Sequence, residues 1–347
     1  MLDNYFTQTK ILGSIAKKSM TWLESSDAIR TDLDKALAGF NELPFAIQIF
    51  GGSGDKFTTI HPWHHLFFEA EQDLDSSILL LMTGFYKDSF RSLRSFLELH
   101  TFALYNFVNG ENKGFQDWLD GKAHTPKLGE LLKILNEKSE DFQALNKKLG
   151  WNREVELLYR KLSGFMHTQG ALHTHTSLRN SNQTVFSEVG LKIGLESLLK
   201  ALRLAGMGFV VNFPMSMHPL PLLDKFAFNQ PVGGFLDEGQ TERIKAIFPE
   251  NISSEVERIC MSNEDAASLA EGVRSMPDLS EKEVVESLKN TLEQDTFSKS
   301  KKEILQMVKN GDIGKAFALI GATQRAMTRG MTGVLFNPFY GPLSKRE

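Results

Sequence analysis

The stretch Tyr86-Lys-Asp-Ser-Phe-Arg-Ser-Leu-Arg-Ser-Phe-Leu-Glu-Leu-His-Thr-Phe-Ala-Leu-Tyr-Asn-Phe-Val108 decides the fold class. Tyr86, Phe90, Leu93, Leu97, Leu104 and Val108 recur at intervals of three, four and seven residues. That is the period of one face of an α-helix. Apolar side chains fall on its other sides as well, which places this helix at the centre of an all-α protein. The helical pattern runs back through Asp75, so residues 75–108 read as one long helix. A helix of ~30 residues would span about 45 Å, with Gly84 as the point of a kink.

Further helices are expected on either side, at residues 5–23, 28–40, 127–138, 154–167 and 188–211. In the last of these, Leu191, Leu195, Leu198, Leu199 and Leu202 share one side. Residues 45–61 read differently. Aromatic and β-branched residues flank Gly51-Gly-Ser-Gly-Asp55, which predicts a small β-hairpin. The phosphate-loop spacing Gly-x4-Gly-Lys-Ser/Thr is absent, so the glycines read as a turn. Pro214, Pro219, Pro221 and Pro231 are four of the eleven prolines and predict an extended connector. Beyond it Ser280-Glu-Lys-Glu283 has the form of a capping box, and Asp312 is placed to cap a helix over 313–327. The expected organisation is an N-terminal helical extension with the hairpin (1–70), a main helical domain (71–225) and a smaller C-terminal helical region (226–347).

The composition narrows function. A net charge of −4 leaves no global basic field, so nucleic acid would have to be held by a local patch. Cys260 is the single cysteine, which excludes an internal disulfide and a cysteine-based zinc site and fits a reducing cytoplasm. The N-terminal residues do not read as a signal peptide, and the longest apolar stretches are far short of the ~20 residues of a membrane span. No membrane association is expected.

The candidate site lies in Glu154-Val-Glu-Leu-Leu-Tyr-Arg-Lys-Leu-Ser-Gly-Phe-Met-His167. Arg160 and His167 are a heptad apart, so they share a helix face about 20° out of line. Val155, Leu158, Leu162 and Phe165 form a separate apolar stripe, while Arg153 and Gly164 lie on the polar side. A glycine inside a helix costs roughly 1 kcal/mol against alanine and often marks a close approach. A fixed cation beside an imidazole suits phosphodiester chemistry. Histidine moves a proton near neutral pH, and a planar guanidinium holds phosphate and its transition-state charge. The bland reading of the pair is a solvated helix face. Arg94 and Glu98 stand four apart on the long helix. An exposed pair of this kind is worth ~0.3–0.5 kcal/mol; on so apolar a helix a partly buried network that positions the Arg160 helix is equally open.

Tyr159-Arg-Lys-Leu-Ser-Gly-Phe-Met-His167 resembles the Arg-x4–6-His motif of the HEPN family of helical domains. It resembles more narrowly a group of uncharacterised bacterial HEPN-like proteins with a Tyr-x-x-Leu-Ser-x-x-x-His phrase. Ser89-Phe-Arg-Ser-Leu-Arg-Ser-Phe-Leu-Glu98 is similar to the Arg-x3-Glu helix of that group. The resemblance covers about residues 70–215. Lys161 departs from it, since Asn, Asp or His often follows the motif arginine. The resemblance implies a HEPN-like helical bundle, catalytic roles for Arg160 and His167, and support from Arg94 and Glu98. It further implies metal-independent cleavage of RNA without a cofactor, as in toxins or phage-defence effectors, at a homodimer interface.

Two alternatives remain at this level. One is a non-catalytic helical module that binds a protein partner. The other is a metal site, from His61, His64, His65 and Glu69, or from His167, His173 and His175. His173 and His175 read otherwise as a polar rim beside His167. A cluster of Arg and Lys around His167 would favour RNA, and an apolar groove there would favour a peptide or small molecule.

Overall fold

The computed structural model describes residues 2–47, 64–110, 113–179, 181, 183–227, 234–293 and 306. Its first half contains α1 (Leu2–Glu24), α2 (Asp27–Phe40), α3 (His64–Met82), α4 (Tyr86–Asn109), α5 (Lys113–Leu119), α6 (Leu128–Lys138), α7 (Glu140–Leu149) and α8 (Trp151–Met166). Then come α9 (His175–Arg179), α10 (Glu188–Asn212), α11 (Leu222–Phe226), α12 (Glu238–Lys245), α13 (Glu250–Met261), α14 (Glu264–Arg274) and α15 (Glu281–Glu293). Among the described residues the protein is all-α, with one isolated bridge residue at Phe235.

The long helix expected over 75–108 is two helices folded back on each other. α3 ends in a turn in which the Phe85 N–H reaches Leu80 O at 2.9 Å and the Gly84 N–H reaches Leu81 O at 3.2 Å. This is a Schellman closure, and Gly84 supplies the left-handed residue it requires, at φ +84°. The returning helix then pairs with α3. The Ser77 and Ser89 hydroxyls lie 3.0 Å apart, and Ser89 also donates to Ser77 O at 2.8 Å. The expected stripe of α4 is buried at Tyr86, Phe90, Leu93, Leu97 and Leu104. The hairpin expected over 45–61 falls mostly on residues outside those described. Its described start belongs to a 3-10 turn, Leu43–Ala46, where Pro44 favours a turn over a strand.

α10 is buried on nearly every side and runs through the centre with α4. Trp151 anchors α8 to it by donating from Nε1 to Leu204 O at 2.9 Å. The apolar core is continuous from Leu33 to Cys260, across positions 70 and 225. One polar link in this join is Glu42, which accepts from Arg243 Nε at 2.8 Å and from Gln240 Nε2 at 3.1 Å. The proline-rich segment is packed rather than extended where it is described. Met215, Leu220 and Leu222 bury against Phe235, Ala266, Ala270 and Val273. The capping box at the start of α15 forms, with the Ser280 N–H donating to Glu283 Oε2 at 2.7 Å. The helix expected over 313–327 lies outside the described residues.

Candidate functional site

α8 begins at Gly150, a left-handed residue that also ends α7. Its apolar stripe, Val155, Leu158, Leu162 and Phe165, is buried. Arg153, Arg160 and His167 are exposed on the other side. Arg160 and His167 thus share one helix, with His167 as its C-terminal cap residue. At 1.5 Å per residue they are about 10 Å apart along the axis. Arg160 donates from Nε to Glu156 O at 3.4 Å and makes no ion pair among the described residues. The His167 ring makes no hydrogen bond among them.

The end of α8 has the same closure as the end of α3. The Gln169 N–H reaches Gly164 O at 3.0 Å, and the Thr168 N–H reaches Phe165 O at 3.4 Å. Here the left-handed position is Thr168, at φ +52°. A β-branched side chain is strained in this region. The Thr168 hydroxyl accepts a hydrogen bond from Lys87 Nζ, which arrives from the first turn of α4. Lys87 is only 6% exposed and has no carboxylate partner among the described residues.

Arg94 and Glu98 form the partly buried network rather than the exposed pair. Arg94 Nη2 donates to Glu98 Oε1 at 2.9 Å and to the Tyr159 hydroxyl, which itself donates to Glu98. Arg94 Nε donates to Ser163 Oγ at 3.0 Å, and Nη1 lies 3.1 Å from Met166 Sδ. The guanidinium also sits 4.6 Å from the Tyr159 ring centroid, a cation–π distance. Burial, then the carboxylate of Glu98, push the Tyr159 phenol above its ordinary pKa. These contacts clamp α8 onto α4 and occupy Arg94, leaving it to position α8 rather than to meet a ligand. Lys161 points elsewhere. It donates to Ser197 Oγ on α10 at 3.0 Å, and burial lowers its pKa.

Gly164 lies beneath a histidine. A Cβ there would be 2.6 Å from the His173 ring, so only glycine admits this contact. His173 also meets Phe165 edge-on at 4.9 Å, and its Nδ1 lies 2.6 Å from Gln169 O. Since a carbonyl only accepts, Nδ1 carries the proton there. His175 is set among charges. Burial lowers its pKa first, then Arg179; Lys87 and Arg91 add to the lowering and Asp88 opposes it.

Sequence reading did not bring Lys87, Arg91 and Arg179 into this neighbourhood, where Arg91 pairs with Asp88 at 2.8 Å. A signal existed: Lys87, Arg91, Arg94 and Glu98 follow one another at four, three and four residues, one face of α4. No group of three or more His, Cys, Asp or Glu residues is placed to hold a metal ion among the described residues. His65 Nε2 instead pairs with Glu69 Oε1 at 3.7 Å. His61 lies outside the described residues, as does the side chain of His64. No helix among the described residues is long and apolar enough to cross a membrane. No known protein family, characterised protein or solved structure matches this chain.

Proposed function

We propose that the protein is a metal-independent endoribonuclease of HEPN type that works at the C-terminal end of α8. The observation that carries this reading is local. In a chain of net charge −4, Lys87 reaches Thr168, directly after the exposed His167, and Arg179 and Arg91 act on His175, with Arg91 paired to Asp88 at 2.8 Å and Arg94 held by Glu98. Such a patch attracts phosphate where the whole molecule does not. His167 takes the proton from a ribose 2′-hydroxyl, and the 2′-oxygen attacks phosphorus. The bond to the 5′-oxygen breaks, and that oxygen leaves with a proton from the imidazolium. Arg160 holds the phosphoryl oxygens in the transition state. Arg94, Glu98 and Tyr159 keep α8 in place.

The test is cleavage of single-stranded RNA by the full chain. Activity should persist in EDTA, yield 2′,3′-cyclic phosphate ends and spare DNA, which lacks the attacking hydroxyl. Arg160→Lys should restore only part of what Arg160→Ala loses, because lysine cannot bind phosphate bidentately. Loss on chelation with recovery in zinc or manganese would overturn the metal-independent mechanism.

A second reading, a non-catalytic interaction module, rests on Leu172 (80% exposed) beside His173 and on the exposed Leu157 of α8. The same side chains suit a homodimer contact across this face. Leu172→Asp, followed by sedimentation, separates the two. A dimer lost together with cleavage favours the ribonuclease, and a dimer lost from a chain that never cleaves RNA favours the module.

A further inference from the structure

A second feature lies around the Gly84 corner from the candidate site. α1 presents Ser14, Lys17, Lys18, Thr21 and Trp22 on one face, at three- and four-residue spacing, toward Phe186. They line an open cleft of about 480 Å³. That size falls in the usual range of small-molecule sites, roughly 300–1,000 Å³. Lys17 and Lys18 are exposed, and neither meets a carboxylate among the described residues. The Trp22 indole is half-buried against the core, and its N–H makes no hydrogen bond among them. Ammonium groups, hydroxyls and aromatic surfaces in one cleft are the groups that hold single-stranded nucleic acid. Cations follow the backbone, and aromatic rings accept any base.

α1 also meets the Gly84 corner, through Ile15. A Cβ on Gly84 would lie 3.1 Å from Val185 O and 3.2 Å from Ile15 Cγ2, so this corner is wedged between α1 and the strip that leads to Phe186. Arg179 Nη1 lies 3.5 Å from both Gly84 O and Thr184 Oγ1. The next strip residue, Ser187, donates its N–H to the Tyr86 hydroxyl, adjacent in sequence to Lys87. Arg179 thus stands at the Gly84 corner, between the strip that leads to Phe186 and the first turn of α4 that carries Lys87.

We propose that this cleft is an RNA-binding subsite, in which one unpaired base lies against Trp22 and Phe186 while Lys17 and Lys18 hold the adjoining phosphates. The inference rests on the RNA reading of the α8 site and extends the substrate to a strand that wraps the Gly84 corner. It requires a single strand, since a base stacked inside a duplex has both faces covered and none to offer Trp22.

The experiment is binding of a short single-stranded oligoribonucleotide to the full chain carrying His167→Ala, followed by fluorescence anisotropy over a salt series. Lys17→Gln with Lys18→Gln should reduce the salt slope by about 1.4, from ~0.7 for each of two phosphates no longer neutralised. Trp22→Ala should weaken binding roughly five- to a hundredfold, the range measured for loss of one stacked base. Because Trp22 also packs on the core, Trp22→Phe serves as the control and should retain most of the affinity. Unchanged affinity and slope in the double lysine variant would overturn the subsite. So would competition by a mononucleotide at the oligomer's own concentration. The two readings fail separately. RNA cleaved by the wild-type chain but bound without regard to Lys17 and Lys18 removes the subsite alone. RNA bound through these lysines but never cleaved removes the ribonuclease alone.

Discussion

Two helix ends in this protein close with the same pair of hydrogen bonds, and they differ in the residue at the turn. After α3 the left-handed position is Gly84, enclosed by Ile15 and Val185. After α8 it is Thr168, exposed and tied to Lys87. Glycine enters that conformation without strain, whereas an L-residue there costs about 1–2 kcal/mol. The α3 corner only has to redirect the chain. The α8 corner also carries a hydroxyl that a buried lysine holds, directly after His167. Strain retained beside a cationic patch is a pointer to function rather than to folding.

The sharpest break of this comparison is His167→Ala. Loss of an acid–base group lowers a rate by roughly 10²–10⁴, so RNA cleavage should fall by that order. The urea midpoint should not move, because the ring is exposed. A large midpoint shift would make His167 structural, like the other corner. Gly84→Ala should do the reverse. It should cost about 1–2 kcal/mol in backbone strain alone, with more from the Val185 carbonyl, read as a lower urea midpoint. A variant as stable as wild type would mean that this corner does not need glycine.

The histidines extend the contrast. His100 is 3% exposed among Phe40, Phe67, Phe96 and Phe209, its Nε2 has no hydrogen-bond partner among the described residues, and burial holds its pKa down to about 3. Its ordinary value is 6.5. The unfolded chain therefore binds the extra proton. The resulting stability is complete above about pH 6.5 and is lost as pH falls toward 3, by about 1.4 kcal/mol per unit. Denaturant titrations between these limits should show a steeper loss in wild type than in His100→Leu. Parallel curves would remove the buried histidine from the acid response. The smallest effect concerns the α8 corner itself. In a double-mutant cycle, Lys87→Met against Thr168→Val should give a coupling of about 1 kcal/mol. Valine keeps the strained shape and removes only the hydroxyl, so zero coupling would mean that Lys87 does not hold the turn.

Helix content was legible wherever one face repeats. Tyr86, Phe90, Leu93 and Leu97 pointed to the core because burial selects the period of a helix. The corner after α3 was not legible. Apolar residues continue through Met82, Phe85 and Tyr86, so periodicity does not stop there. Gly84 permits a kink and a reversal equally. The reversal is decided by what it buries, namely the pairing seen at Ser77 and Ser89. The Arg94–Glu98 spacing was visible, but its environment was not. Tyr159 and Ser163 come from a helix more than sixty residues away, and only the packing of α8 on α4 brings them together.

The sequence by itself determined the all-α class, the heptad that exposes Arg160 and His167 on one side of α8, and the Ser280–Glu283 cap. Each is local, since helix period and capping depend on residues within a turn or two. Tertiary structure alone decided that Lys87 meets Thr168, that Gly164 lies under His173, and that α1 and Phe186 line one cleft. Those contacts join segments separated by nine to about 160 residues. They depend on how the buried stripes of α4, α8 and α10 fit together in three dimensions, which no local pattern encodes.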